Sequence, residues 1–191
     1  RWNFEVFSRD ADIIQTNTYG ANRIKLARYG FEDRVVEFNA AAVRIAKEAA
    51  AGTGVFVLGT IGGIRGIRKS DATLQEIVEA TKEQAKVLID GAVDGILLET
   101  YYDFEEIEAA VQTIRALTDL PIIAQVTMHE PGILQGGIDF SDALSQLEAL
   151  GADIVGANCR LGPFHMGKAF EGVNLPNRAF LSAYPNASLL D

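Results

Sequence analysis

Gly91-Ala92-Val93-Asp94-Gly95-Ile96-Leu97-Leu98 is the stretch on which the fold turns. A helix-like segment ends on small residues, an aspartate follows, and a short apolar run opens. The same phrase recurs as Asp10-Ala11-Asp12-Ile13-Ile14 and as Gly151-Ala152-Asp153-Ile154-Val155. Glycine closes a helix in the left-handed conformation at little cost, so each phrase reads as a helix-to-strand turn. The apolar runs are nearly continuous rather than alternating, which marks strands covered on both faces, as in a parallel sheet.

Working outward, six strands are predicted at 12–16, 55–59, 94–99, 121–126, 153–157 and 178–183. Between most of them lie helical patterns. Residues 33–50 place Val36, Phe38, Val43, Ile45 and Ala46 near one face. Residues 73–90 begin with Thr73 and Glu76 at capping-box spacing. Residues 103–118 have Asp103 as N-cap with Glu106 three residues on, and 141–150 follow Ser141. Strand–helix alternation with short links is the pattern of an α/β fold, and no linker divides it. A doubly wound dinucleotide fold would need G-x-G-x-x-G after a strand. Gly59-Thr60-Ile61-Gly62-Gly63-Ile64-Arg65-Gly66 has the wrong spacing. The remaining fold class is a (β/α)8 TIM barrel, whose chemistry gathers at the C-terminal ends of the strands. Polar and small residues do gather there: Thr16-Asn17-Thr18, Gly62-Gly63, Glu99-Thr100, Thr127-Met128-His129, Asn158-Cys159 and Ser182-Ala183-Tyr184. A full barrel has eight strands and about 250 residues. These 191 residues are therefore expected to hold an incomplete barrel, 1–191 forming one partial domain.

Composition narrows the classes. At 48% hydrophobic and 23% charged the chain can bury a core. No apolar run reaches the length of a membrane span, and residues 1–10 do not read as a signal peptide. The net charge of −9 argues against nucleic acid or an anionic membrane as partner. The single cysteine, Cys159, excludes an internal disulfide and fits a reducing, cytoplasmic location.

Cys159 lies just beyond an apolar run, where it can be a buried thiol, a metal thiolate or a nucleophile. His129 and His165 read as loop residues rather than ligands. Glu99 ends a buried strand, where a carboxylate is costly unless it is paired or faces a ligand; its natural use is to accept hydrogen bonds from an ammonium group. Thr16, Asn17 and Thr18 offer neutral hydrogen-bonding groups at a strand end. Arg65, Arg68 and Lys69 read as a solvated loop. No lysine stands at a strand end, which counts against a Schiff-base mechanism.

Four motifs together carry a resemblance. Gln15-Thr16-Asn17-Thr18-Tyr19-Gly20-Ala21-Asn22, Leu98-Glu99-Thr100-Tyr101-Tyr102-Asp103, Gly156-Ala157-Asn158-Cys159-Arg160-Leu161-Gly162-Pro163 and Tyr184-Pro185-Asn186-Ala187 resemble the homocysteine S-methyltransferase family. The likeness is strongest to the N-terminal module of bacterial two-domain proteins in which a methylenetetrahydrofolate reductase domain follows. It implies a barrel with zinc at its C-terminal face. The zinc would be held by Cys159 and by two further cysteines of a Gly-Gly-Cys-Cys motif that this sequence lacks. By the same likeness the six strands are strands two to seven. The resemblance further implies that Glu99 binds the amino group of homocysteine, with Thr16, Asn17 and Asn158 around the substrate. The implied reaction moves a methyl group to the zinc-activated homocysteine thiolate, giving methionine, from a donor the sequence does not specify. Folate or flavin is implied only if a reductase domain follows. On the same reading the 191 residues alone are expected to hold no stoichiometric zinc and to be inactive. Two other readings compete: a non-catalytic barrel module, and an unrelated barrel enzyme using Cys159 as nucleophile.

Overall fold

The computed structural model describes residues 11–66, 70–174 and 179–187. Six parallel strands form one sheet: β1 (Ile13–Gln15), β2 (Phe56–Gly62), β3 (Gly95–Tyr101), β4 (Ile122–Val126), β7 (Ile154–Asn158) and β8 (Phe180–Tyr184). They are neighbours in chain order, with no reversal, which excludes the doubly wound alternative. A short antiparallel pair, β5 (Met128–Glu130) and β6 (Ile133–Leu134), sits apart from that sheet. Its turn is Pro131-Gly132, with Gly132 at φ 83°. The helices are α1 (Arg23–Ala27), α2 (Val35–Ala50), α3 (Leu74–Asp90), α4 (Phe104–Arg115), α5 (Phe140–Ala149) and α6 (Pro163–Glu171). All six predicted strands exist, though residue 178 of the last lies outside the described residues. Helices α1 and α6 and the β5–β6 pair are additions.

The repeated phrase has a physical purpose. Asp94 donates its backbone N–H to the Val57 carbonyl at 2.8 Å, while its carboxylate accepts the Val57 N–H at 2.7 Å. Asp153 does the same two strands further along the sheet, donating to Ile122 O at 3.0 Å and accepting from Ile122 N at 2.9 Å. Each aspartate thus seals the open N-terminal end of the preceding strand, and Lys47 or Arg115 neutralises it. The glycine reading needs correction at one position. Gly151 does take φ 100°, but after α3 it is Ala92 that turns left-handed, at φ 59°, and Gly91 has φ −75°. Gly91 is needed for space: a Cβ there would lie 2.8 Å from Val43 Cγ1 on α2.

Strands β2, β3, β4 and β7 are almost wholly buried, as their continuous apolar runs require; β1 and β8 are largely exposed. Helices α2 to α5 each bury one face against the sheet. On α2 that face is Val35, Asn39, Val43, Ala46 and Ala50. Val36 and Ile45, expected there, are about half exposed, because the buried stripe is displaced to one side of them. The Thr73–Glu76 capping box forms as predicted. On α5 the cap is Asp139, two residues before the expected Ser141.

The sheet curls like part of a (β/α)8 barrel. Gln125 on β4 donates to the Ser182 hydroxyl on β8 at 3.0 Å, passing over β7 at Gly156. Asn158 on β7 reaches Thr100 on β3 in the same way, over the end of β4. Side chains of alternate strands meet in this fashion only when the sheet is strongly curved, and such layers fill barrel interiors.

Candidate functional site

The site is built on an irregularity at the end of β3. Leu98 pairs with Ala124 and Tyr101 with Val126, so β3 carries one residue more than β4. This bulge re-aims Glu99 and Thr100, as bulges beside active sites do. Thr100 is held at φ 60°, which a β-branched residue rarely adopts. Cys159 and Arg160, just past β7, are also left-handed, at φ 61° and 64°. Non-glycine residues in this region cost energy and persist only where surrounding bonds hold them.

Asn158 supplies that hold. It is buried, accepts the Thr100 N–H through Oδ1 at 2.8 Å, and donates through Nδ2 to Thr100 Oγ1 at 2.7 Å. The same Nδ2 lies 3.4 Å from Cys159 Sγ, and Thr100 Oγ1 lies 3.7 Å from that sulfur. From the other side, the Thr127 hydroxyl donates to the Asn158 carbonyl at 3.2 Å. Glu99, Thr100, Asn158 and Cys159 therefore form one corner at the C-terminal ends of β3 and β7. Asn158 stands in it as a clamp between the two strands.

Thr16 is placed differently. It is buried, its Oγ1 accepts the Thr60 N–H at 3.0 Å, and it lies 2.6 Å from the Thr18 hydroxyl. Thr18 gives its own proton to the Thr60 carbonyl at 2.7 Å, so Thr16 is the donor in the pair. These two threonines fasten the end of β1 to β2. Asn17 between them is exposed. His129 is exposed on β5, and Arg65 pairs with Asp103 and Glu105. Arg68 and Lys69 lie outside the described residues.

Three participants escaped the sequence reading. Tyr19 lays its ring against Gly62, where a Cβ would come within 2.1 Å of the ring. Burial raises the Tyr19 phenol pKa, and a hydrogen bond from Thr100 partly offsets this. Lys25, from α1, holds its ammonium 4.1 Å from the Tyr19 ring centroid. Desolvation lowers the Lys25 pKa to about 8. So although no lysine stands at a strand end in the sequence, one reaches the barrel mouth from a helix. Glu106, noted in the sequence only for its spacing from the Asp103 N-cap, accepts the N–H groups of Ile64 and Arg65 at 2.6 and 2.8 Å. It ties α4 to the loop after β2. The pattern T-N-T-Y-G-x-N could have drawn attention to Tyr19; nothing in the local sequence of Lys25 or Glu106 marks them.

Glu99 is half-buried, and desolvation raises its pKa, with the Lys25 charge acting in the opposite direction. A cavity of about 830 Å³ lies away from this corner, between α1 and α3, lined by Ile24, Ala72 and Ala80 among several acidic residues.

A family model described as homocysteine S-methyltransferase matches residues 5–191. The chain belongs to the homocysteine S-methyltransferase family. Within it, the chain is 32% identical to methionine synthase of Mycobacterium tuberculosis and 30% identical to that of Mycobacterium leprae. Each match covers 96% of this chain and 16% of the relative, so the chain spans about a sixth of their length. The metallated form of the homocysteine methyltransferase MmuM from Escherichia coli superimposes with a TM-score of 0.83 at 20% identity. That match covers 97% of this chain and 70% of MmuM, and it establishes a shared fold.

Cys159 offers one thiolate at the mouth. Among the described residues no three His, Cys, Asp or Glu side chains gather as a metal-holding group. Structural and catalytic zinc sites use three or four protein ligands, so these residues do not by themselves make a zinc centre.

Proposed function

We propose that this chain carries the homocysteine-binding face of an enzyme that methylates homocysteine to methionine. The observation that supports it most is the corner formed by Glu99, Thr100, Asn158 and Cys159 between β3 and β7, in a chain of this family. A half-buried carboxylate with no ion-pair partner among the described residues suits a substrate ammonium group. Glu99 takes that role. Asn158 sets the backbone of Thr100, and through it the direction of Glu99, so it acts as a positioning residue.

In the reaction the homocysteine thiol gives up its proton, and the sulfur forms a new bond to the methyl carbon. The bond between that carbon and its donor breaks, and the donor keeps the electron pair. Fixing the amino acid at its ammonium end places the sulfur for attack, which is where positioning contributes to the rate. Cys159 is proposed as one zinc thiolate. Cytoplasmic location belongs to the same proposal. The test is Cys159→Ser in the natural polypeptide, measuring zinc content and methionine formation together. Both should fall while the circular dichroism spectrum is unchanged. Unaltered zinc would remove Cys159 from the metal site.

A further inference from the structure

Lys25 and Glu99 form an incomplete pair. Their charges act on each other, each moving the other's protonation toward the ionised form. Yet no carboxylate oxygen comes within ion-pair distance of the Lys25 ammonium among the described residues. Glu106 attracts the Lys25 ammonium more strongly than Glu99 does, but it too lies outside ion-pair distance. Both oxygens of Glu106 are engaged by the Ile64 and Arg65 N–H groups, and Arg28 has the same sign as Lys25. What holds the ammonium is the face of the Tyr19 ring. A half-buried cation resting on an aromatic face and lacking an anion is an anion-binding group.

Its position specifies the anion. The Tyr19 ring lies against Gly62, which pairs with Glu99 across β2 and β3, and the Thr100 hydroxyl next to Glu99 is 3.7 Å from Cys159 Sγ. Lys25, Tyr19, Thr100 and Cys159 therefore run in sequence along the mouth, with Glu99 next to Thr100 on the bulge. An α-amino acid carries one cation and one anion on a single carbon. Two unpaired side chains of opposite charge on the same rim match that zwitterion. We propose that Lys25 binds the α-carboxylate of the amino-acid substrate, opposite the ammonium held by Glu99. The assignment rests on the homocysteine reading above.

The test titrates the natural polypeptide and its Lys25→Met variant with homocysteine and with 3-aminopropane-1-thiol, the same thiol lacking the carboxylate. Loss of a charge-assisted contact should weaken homocysteine binding about tenfold or more. Affinity for the decarboxylated thiol should stay within about twofold, and Lys25→Arg should recover most of the homocysteine affinity. If Lys25→Met weakens both ligands equally, Lys25 is structural and the assignment is wrong. If it leaves homocysteine binding unchanged but raises the KM of a carboxylate-bearing methyl donor, the anion belongs to the donor and the assignment is again wrong. Failure of the unsubstituted protein to bind homocysteine would instead overturn the functional reading itself.

Discussion

Replacing Glu106 by alanine removes the acceptor for two backbone donors, and the cost can be built from their surroundings. Ile64 is buried, so its N–H cannot regain a partner from water. A hydrogen bond to a charged group contributes about 1.5–3 kcal/mol, most of which is lost there. Arg65 is half-exposed, and its N–H can turn to solvent, so that loss is nearer about 0.5–1 kcal/mol. Against this, the alanine no longer buries a carboxylate whose pKa is raised by desolvation. The two losses together come to about 2–4 kcal/mol, and relief of the buried carboxylate lowers the expected net destabilisation of Glu106→Ala to about 1–3 kcal/mol, read from urea unfolding by linear extrapolation. Glu106→Gln keeps one acceptor but turns an NH2 toward the other donor, so it should cost about half as much. The pH dependence has a definite sign. Because folding raises the Glu106 pKa above 4.5, its contribution is fully present below about pH 4.5 and is lost as pH rises through the folded value. The deficit of Glu106→Gln relative to the natural protein should therefore be largest near pH 4.5 and narrow toward neutrality. A Glu106→Ala variant within about 0.5 kcal/mol of the natural protein, the range of ordinary surface changes, would refute the reasoning. So would a Gln deficit that widens with rising pH.

Asp94→Ala should cost about 1–3 kcal/mol in the same denaturation assay, since it frees the Val57 N–H and strips Lys47 of its partner. Ala92→Gly should raise the melting temperature by a few degrees, because Ala92 sits at φ 59° on the surface and relief of that strain is worth about 1 kcal/mol. Asn158→Ala should lower homocysteine affinity by about tenfold or more in calorimetric titration, through release of Thr100 from its strained setting rather than through a lost substrate contact.

Strands β2, β3, β4 and β7 were legible because their burial is nearly complete. Ile96, Leu97 and Leu98 have to be apolar whichever way they point, and the aspartates before β3 and β7 recur because each makes the same two hydrogen bonds. Strand-end position alone brought out Glu99, Asn158 and Cys159. Other features depend on partners far away in the chain. Lys25 reaches the mouth from α1, and Glu106 bonds to Ile64 across 42 residues, so no local pattern reveals either. Thr16 looked like a ligand group for the same reason as Glu99, but its hydroxyl is turned onto β2, which only the packed sheet discloses. The β5–β6 turn was encoded in Glu130-Pro131-Gly132, a signal masked by treating Thr127-Met128-His129 as a simple strand end.

The claim at the centre is that homocysteine is held by Glu99 at the corner between β3 and β7. Calorimetric titration of homocysteine into the natural polypeptide and its Glu99→Gln variant, with metal content measured on the same samples, tests it most directly. Binding should weaken by about tenfold or more while metal content stays the same. Equal affinity in the two proteins, or metal lost along with substrate, would contradict it.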